Sequence, residues 1–252
     1  FQPIEVLKPF LIVILATILC DIKSNILFKY LISIFLISVI SLLLIAQPDI
    51  GQTLLVIFCW AVLIFTSGIN IYILLAIFIA GASLLTYLII YVPRFDYIQG
   101  RIFSFFNRET GTHNFQSDKA IESITSGGFF GKGIGEGVLK NRVPEAHTDY
   151  IISVISEEFG VVAIMLILLL FLILIYMVFK KISFETNDKV KLILIGSISL
   201  ILMQATIHVG VNIRLFPTTG MTLPFLSYGG SSIISTSILG GIILNLTKRK
   251  IT

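Results

Sequence analysis

The chain has 252 residues, 56% of them hydrophobic and only 13% charged, with a formal charge of +4 and a mean hydropathy of +1.00. A soluble domain carries about 25% charged residues, so this composition excludes an ordinary water-soluble fold and defines a polytopic membrane protein. The basic residues are scattered between apolar runs, which excludes a nucleic-acid-binding surface, and Cys20 and Cys59 lie in apolar runs as inert thiols with neither disulfide nor metal-ligand spacing.

About seven apolar spans are expected from the length that crosses a bilayer, roughly 20 residues each. In chain order they run near Ile4–Cys20, Tyr30–Ala46, Gln52–Ser67, Ile71–Val92, Tyr150–Phe179, Val190–Val211 and Ser231–Leu246. The expected fold is therefore all-α, with about seven transmembrane helices in one domain over residues 1–252. One connection is long. The segment 93–149 is polar, contains glycines and carries eight scattered aromatics able to pack it onto a membrane surface. Short helices are expected there around Arg101–Asn107 and Lys119–Ser126. Lys and Arg of short loops mark the cytoplasmic side. Lys23, Lys29, Lys180, Lys181, Lys189, Lys191 and the tail Lys248-Arg249-Lys250 all fall on one side by alternation. The C-terminus is then cytoplasmic, and the long loop, the Gln47-Pro48-Asp49 turn and Arg214–Gly230 are extracytoplasmic.

Five motifs stand out. Pro144-Glu145-Ala146-His147-Thr148-Asp149-Tyr150 gathers two carboxylates and an imidazole where the long loop re-enters the membrane, with Glu157 and Glu158 on the following helix. Ionisable groups at such a place are costly unless solvated or paired, which makes them candidates for function; the plainer alternative makes Thr148 a helix N-cap with Asp149 in the first turn. Gly220–Ser232 lies between the last two spans with Pro224, paired glycines and small hydroxyl residues, as irregular backbone buried in protein or lining a wet cavity, or as a re-entrant hairpin without chemistry. Gln47–Gln52 is a turn. In Gln2-Pro3-Ile4-Glu5 with Lys8, Glu5 and Lys8 are i,i+3 neighbours able to pair, either buried towards a cavity or at the lipid headgroups. Gly127–Gly137 tempts a nucleotide-binding reading. Ser126 and Gly133, however, occupy the positions where a P-loop needs Gly and a hydroxyl residue, so a flexible surface loop is expected instead. His208, alone in an apolar span, is read as a packing residue, and His113 has no metal-ligand spacing.

Together these motifs resemble the SEDS family (RodA, FtsW and SpoVE), polytopic bacterial peptidoglycan glycosyltransferases, with the FtsW branch the nearer. The resemblance rests on Gln2–Lys8, Gln47–Gly51, Arg101–Phe105, Ser126–Gly133, Pro144–Asp149 with Glu157–Gly160, and Pro217–Ser232. Ile4 and Tyr150 depart from the usual residues. Family members typically have about ten helices, so the first three are expected to be absent here. The resemblance implies transfer of a disaccharide from lipid II to a lipid-linked glycan during septal cell-wall synthesis, in the inner membrane. It makes Asp149 the general base. It places Lys8, Arg101 and Arg214 near the pyrophosphate, with Glu5, His147, Glu145 and Ser227 as further substrate-binding residues. It names no cofactor, leaves a divalent cation open, and implies a class B penicillin-binding protein and other divisome proteins as partners. A lipid II flippase and a catalytically silent scaffold of the division machinery are the competing readings.

Overall fold

The computed structural model describes residues 2–21, 25–106, 112–138 and 143–248. Lys23, Asn107, Arg249 and Lys250 lie outside them, as does the side chain of His113. The described residues hold no strand. They form α1 (Pro3–Leu19), α2 (Ile26–Ala46), α3 (Ile50–Thr66), α4 (Ile71–Tyr91), α5 (Asp96–Phe106), α6 (Thr112–Gly127), α7 (Ile151–Phe184), α8 (Asp188–Asn212) and α9 (Gly230–Thr247). Each of the seven expected spans coincides with a helix. Five of these (α2, α4, α7, α8 and α9) are long and apolar enough to cross a bilayer, which makes this a multi-pass membrane protein. α1 and α3 have 17 residues each, the short limit of a spanning helix. The two loop helices are longer than expected, since α5 begins at Asp96 and α6 at Thr112.

The chain forms two compact units. The first comprises Phe1–Ile69, Leu169–Ala205 and Tyr228–Thr252. Within it α1 packs on α2, α3 and α9, and α2 on α3. α8 is the most buried of the long apolar helices, with Leu194, Ser197, Ile198 and Ile201 inaccessible or nearly so. Its close approach depends on Gly196: a Cβ there would meet Ile12 Cγ2 at 2.7 Å and Leu63 Cδ2 at 3.1 Å. The carbonyl of Gly196 also receives Cys59 Sγ at 3.6 Å, and Trp60 Nε1 reaches Ser33 Oγ at 3.4 Å. At the other extreme, α2 presents Leu27, Phe28, Leu31 and Phe35 outward, as a lipid-facing surface requires. Asp49 caps α3 by accepting from Gln52 N, which accounts for the Gln47–Gln52 turn.

The second unit comprises Asn70–Leu168 and Thr206–Ser227. There α5 packs on α4 and α6. α7 is not continuous: Gly160 has φ 77° and ψ −178°, outside helical geometry. Two carbonyls before the break, Glu157 and Glu158, and two amides after it, Val161 and Val162, lose their helical partners. The glycine-rich loop replaces them. Lys132 N donates to Glu157 O at 2.9 Å and Gly133 N to Glu158 O at 3.0 Å. In return Val161 N donates to Gly128 O at 3.0 Å and Val162 N to Phe129 O at 3.3 Å. The expected flexible surface loop is thus a docked one, because backbone groups left open by the break must find partners. Gly127, Gly131 and Gly160 lie so near facing backbone atoms that a Cβ at any of them would clash.

Gly196→Val should destabilise the first unit by about 1–3 kcal/mol, the range for forced overpacking of a close helix crossing. Thermal unfolding in detergent would read this as a lowered midpoint with unchanged helical content below it.

Candidate functional site

Asp149 sits in a tight turn just before α7. Glu145 has φ 55°, and its carbonyl accepts from the amides of Thr148, Asp149 and Tyr150 at 3.1, 3.1 and 3.3 Å. The hydroxyl of Thr148 turns back to Glu145, reaching its carbonyl at 3.2 Å and its carboxylate at 3.1 Å. Thr148 is therefore not the N-cap of α7, and the capping expectation fails because the turn itself uses that side chain. The peptides flanking Asp149 are held by two side chains from further along the chain. Ser227 Oγ donates to Thr148 O at 2.6 Å, and Asn212 Nδ2 donates to Asp149 O at 3.0 Å.

Both clamps are themselves fixed. Asn212 Nδ2 also reaches His208 O at 2.8 Å, and Leu223 N donates to Ser227 Oγ at 2.7 Å. His208, expected as a packing residue, is buried with Nδ1 2.7 Å from Met221 O. Within Gly220–Ser232, Met221, Leu223 and Ser227 are buried, and the segment serves as a wall of the turn. Gly220, at φ 67°, lies beside the carboxylate, and a Cβ there would come into ordinary contact with Asp149 Oδ2 at 3.5 Å.

Burial pushes the Asp149 carboxyl up to about 6, with the Glu145 charge adding to the shift and a hydrogen bond from Thr148 opposing it. The other predicted residues are distributed as follows. Glu145 and His147 are exposed on the same turn. Arg101, on α5, points Nη1 at Thr218 O at 3.5 Å. Arg214 forms an ion pair with Asp118, and its Nη2 is buried without a hydrogen-bond partner. Glu157 is wholly buried between Lys132 Nζ, 3.4 Å away, and Ser123 Oγ, 3.1 Å away.

Glu5 and Lys8 belong to the first unit. Lys8 has no accessible surface, so the headgroup location is excluded. Its ammonium lies 2.7 Å from Glu5 Oε2, 3.0 Å from Gln52 Oε1 and 3.2 Å from Gln204 Oε1, and Gln52 Nε2 donates to Glu5 Oε1 at 2.5 Å. The ammonium's three donors thus each have a partner. Among the described residues no group of three or more His, Cys, Asp or Glu is gathered to hold a metal ion.

The clamps Asn212 and Ser227 and the glutamines Gln52 and Gln204 carry much of this geometry. Of these, sequence reasoning singles out only Ser227, and as a substrate ligand. The signal for the others is an amide inside an otherwise apolar span, which needs a partner there.

These features define a multi-pass membrane protein with a clamped, partly buried carboxylate at the entrance to a long helix. The chain belongs to the family of cell cycle proteins that groups FtsW, RodA and SpoVE, whose model matches residues 1–251. It is 34% identical to a probable peptidoglycan glycosyltransferase FtsW of Caulobacter vibrioides, over 99% of this chain and 63% of that protein. With the protein of the same description from Enterococcus hirae it shares 31% identity, over 100% of this chain and 66% of the other. The chain spans about two thirds of the length of these relatives. Among solved structures it resembles one described as "Structural coordination of polymerization and crosslinking by a peptidoglycan synthase complex". That likeness has TM-score 0.79 and 28% identity and covers 98% of this chain and 70% of that one. It also resembles the rod shape determining protein RodA of Thermus thermophilus, with TM-score 0.66 and 26% identity over 100% of this chain and 67% of that one.

Two outcomes follow from the buried charges. Lys8→Met leaves the Glu5 carboxylate buried without its cation and should cost on the order of 3 kcal/mol or more, while Glu5→Gln/Lys8→Met should recover most of that loss. Detergent unfolding of the three proteins checks the order. For Asp149, the folded-state value of about 6 lies above the ordinary 3.8, so stability falls as pH rises from about 4 through about 6. Asp149→Asn should therefore match the wild type near pH 4 and exceed its melting temperature above pH 6. A helix-capping role gives the reverse, a loss on substitution at neutral pH.

Proposed function

We propose that the protein is a peptidoglycan glycosyltransferase that polymerises lipid II into glycan strands during septal cell-wall synthesis, with Asp149 as its general base. The observation that carries this reading is the environment of Asp149: a carboxyl raised to about 6, held by its flanking peptides and still partly exposed. A base tuned towards neutrality by burial is suited to taking a proton from a sugar hydroxyl.

In the reaction, the acceptor hydroxyl gives its proton to Asp149 as its oxygen attacks the anomeric carbon of the donor disaccharide. The bond from that carbon to the pyrophosphate breaks, and undecaprenyl pyrophosphate leaves with the electron pair. The departing group is already stable as an anion, so the protein need supply only cations near it. Arg214, whose Nη2 has no partner, and Arg101 are the candidates in the second unit. Glu145 and His147 line the solvent side of the turn, and Ser227 positions Thr148 rather than binding sugar. Lys8 and Glu5 can meet substrate only if the Gln52 and Gln204 contacts open. The site faces the extracytoplasmic side of the inner membrane, with the C-terminus cytoplasmic. A class B penicillin-binding protein and other divisome proteins act alongside it, since tethering raises the effective concentration of glycan at the cross-linking enzyme.

The flippase reading has one observation in its favour, the fully buried Glu5–Lys8 pair. The two readings part on Asp149→Asn. Asparagine cannot take the proton, so polymer formation from lipid II by the purified protein in liposomes should fall about 10²–10⁴-fold while folding is retained. Wild-type polymerisation should rise with pH through about 6 as the carboxylate ionises. Normal polymer from a folded Asp149→Asn protein would remove the catalytic role.

A further inference from the structure

A second site lies elsewhere, in the first unit, where the end of α1, the start of α2, the end of α3 and the start of α8 converge on a cavity of about 750 Å³. Its inner wall is apolar, formed by Leu19, Leu192 and Ile195. Its more exposed lining is charged, with three lysines, Lys29, Lys189 and Lys191, and two aspartates, Asp21 and Asp188. Lys191 is spent on Asp188 at 3.2 Å. Neither Lys29 nor Lys189 has an ion pair among the described residues. The first amides of α8 are already capped by Asn187, which accepts from Lys189 N at 3.0 Å and Val190 N at 3.4 Å, so the helix terminus itself is not the attraction. An apolar wall under two unpaired ammonium groups suits an amphiphile whose anionic head lies at that charged lining.

We infer that this cavity binds the phosphate headgroup of an anionic phospholipid, held between Lys29 and Lys189 with its glycerol and first methylenes against Leu19, Leu192 and Ile195. Basic recesses between membrane helices recognise acidic lipid heads by this combination of charge and apolar wall. The plainer role of the two lysines is to offset the carbonyl ends of α1 and α3, which would need no ligand. Cys20 supplies an internal reporter, because it is half-buried in the cavity lining and not the inert thiol its apolar run suggests, while Cys59 is buried.

Native mass spectrometry of the purified 252-residue chain with added phosphatidylglycerol, phosphatidylcholine or glycerol phosphate tests the site, with maleimide labelling of Cys20 as a second readout. Phosphatidylglycerol should bind at one high-affinity position and slow Cys20 labelling, and phosphatidylcholine should do neither. Lys29→Gln/Lys189→Gln should weaken that binding by on the order of tenfold, given about one lysine's contribution or more at a membrane surface. Lys180→Gln/Lys181→Gln, which removes equal charge just past the same bilayer boundary, should leave it unchanged. Equal retention of phosphatidylcholine overturns the inference, as does unchanged affinity in the Lys29/Lys189 variant or an equal loss in the Lys180/Lys181 control. Protection of Cys20 by glycerol phosphate as strong as that by the lipid would assign the charged lining to a soluble phosphate and end the lipid assignment. Should the double variant fail to fold, the contrast between the two lipids at wild-type Cys20 still decides.

Discussion

The break in α7 at Gly160 is the constraint around which the second unit is organised. A helix entering a membrane cannot leave two carbonyls and two amides open, because no water is at hand to satisfy them. The glycine-rich loop supplies two donors and two acceptors in their place, and this exchange fixes the loop to the helix through backbone alone. Only glycine allows the approach, at Gly127 and Gly131 on the loop and at Gly160 on the helix. The same docking brings Lys132 to the buried carboxylate of Glu157, so the loop also carries a counter-charge for the helix it repairs.

Three carboxylates with little or no exposure have sharply different surroundings in this fold. Glu5 is closed by Lys8 and Gln52, and Glu157 by Lys132 and Ser123. Asp149 has another acid, Glu145, as its charged neighbour, and a hydrogen bond from Thr148 favours its ionised form. The first two are held in place by those partners. The third is held near the boundary between its two protonation states, by a turn whose peptides are pinned from α8 and from the segment before α9. A group poised in this way can exchange a proton at modest cost.

Much of this is legible in the residues. Apolar run lengths locate all seven long helices to within a few positions, because span length is set by bilayer thickness rather than by tertiary contacts. Asp149 and the Glu5–Lys8 pair stand out because charge is rare in such a chain. The glycine-rich loop misleads. Its composition is that of a flexible connector, and nothing local reveals that a helix 25 to 33 residues later has been broken to receive it. Thr148 follows the pattern of a cap, but the left-handed conformation of Glu145 redirects its hydroxyl. The roles of Asn212, Gln52 and Gln204 depend on partners distant in sequence, and a single amide in an apolar span announces a need for a partner without naming it.

Amide hydrogen exchange across the α7 break tests the central claim most directly. Lys132, Gly133, Val161 and Val162 should exchange slowly and with a common opening free energy, as members of one cooperative backbone unit, and Gly131→Ala should release all four together. Rapid exchange at Lys132 and Gly133 beside protected amides at Val161 and Val162 would mean that the loop does not complete the helix, and would contradict the account.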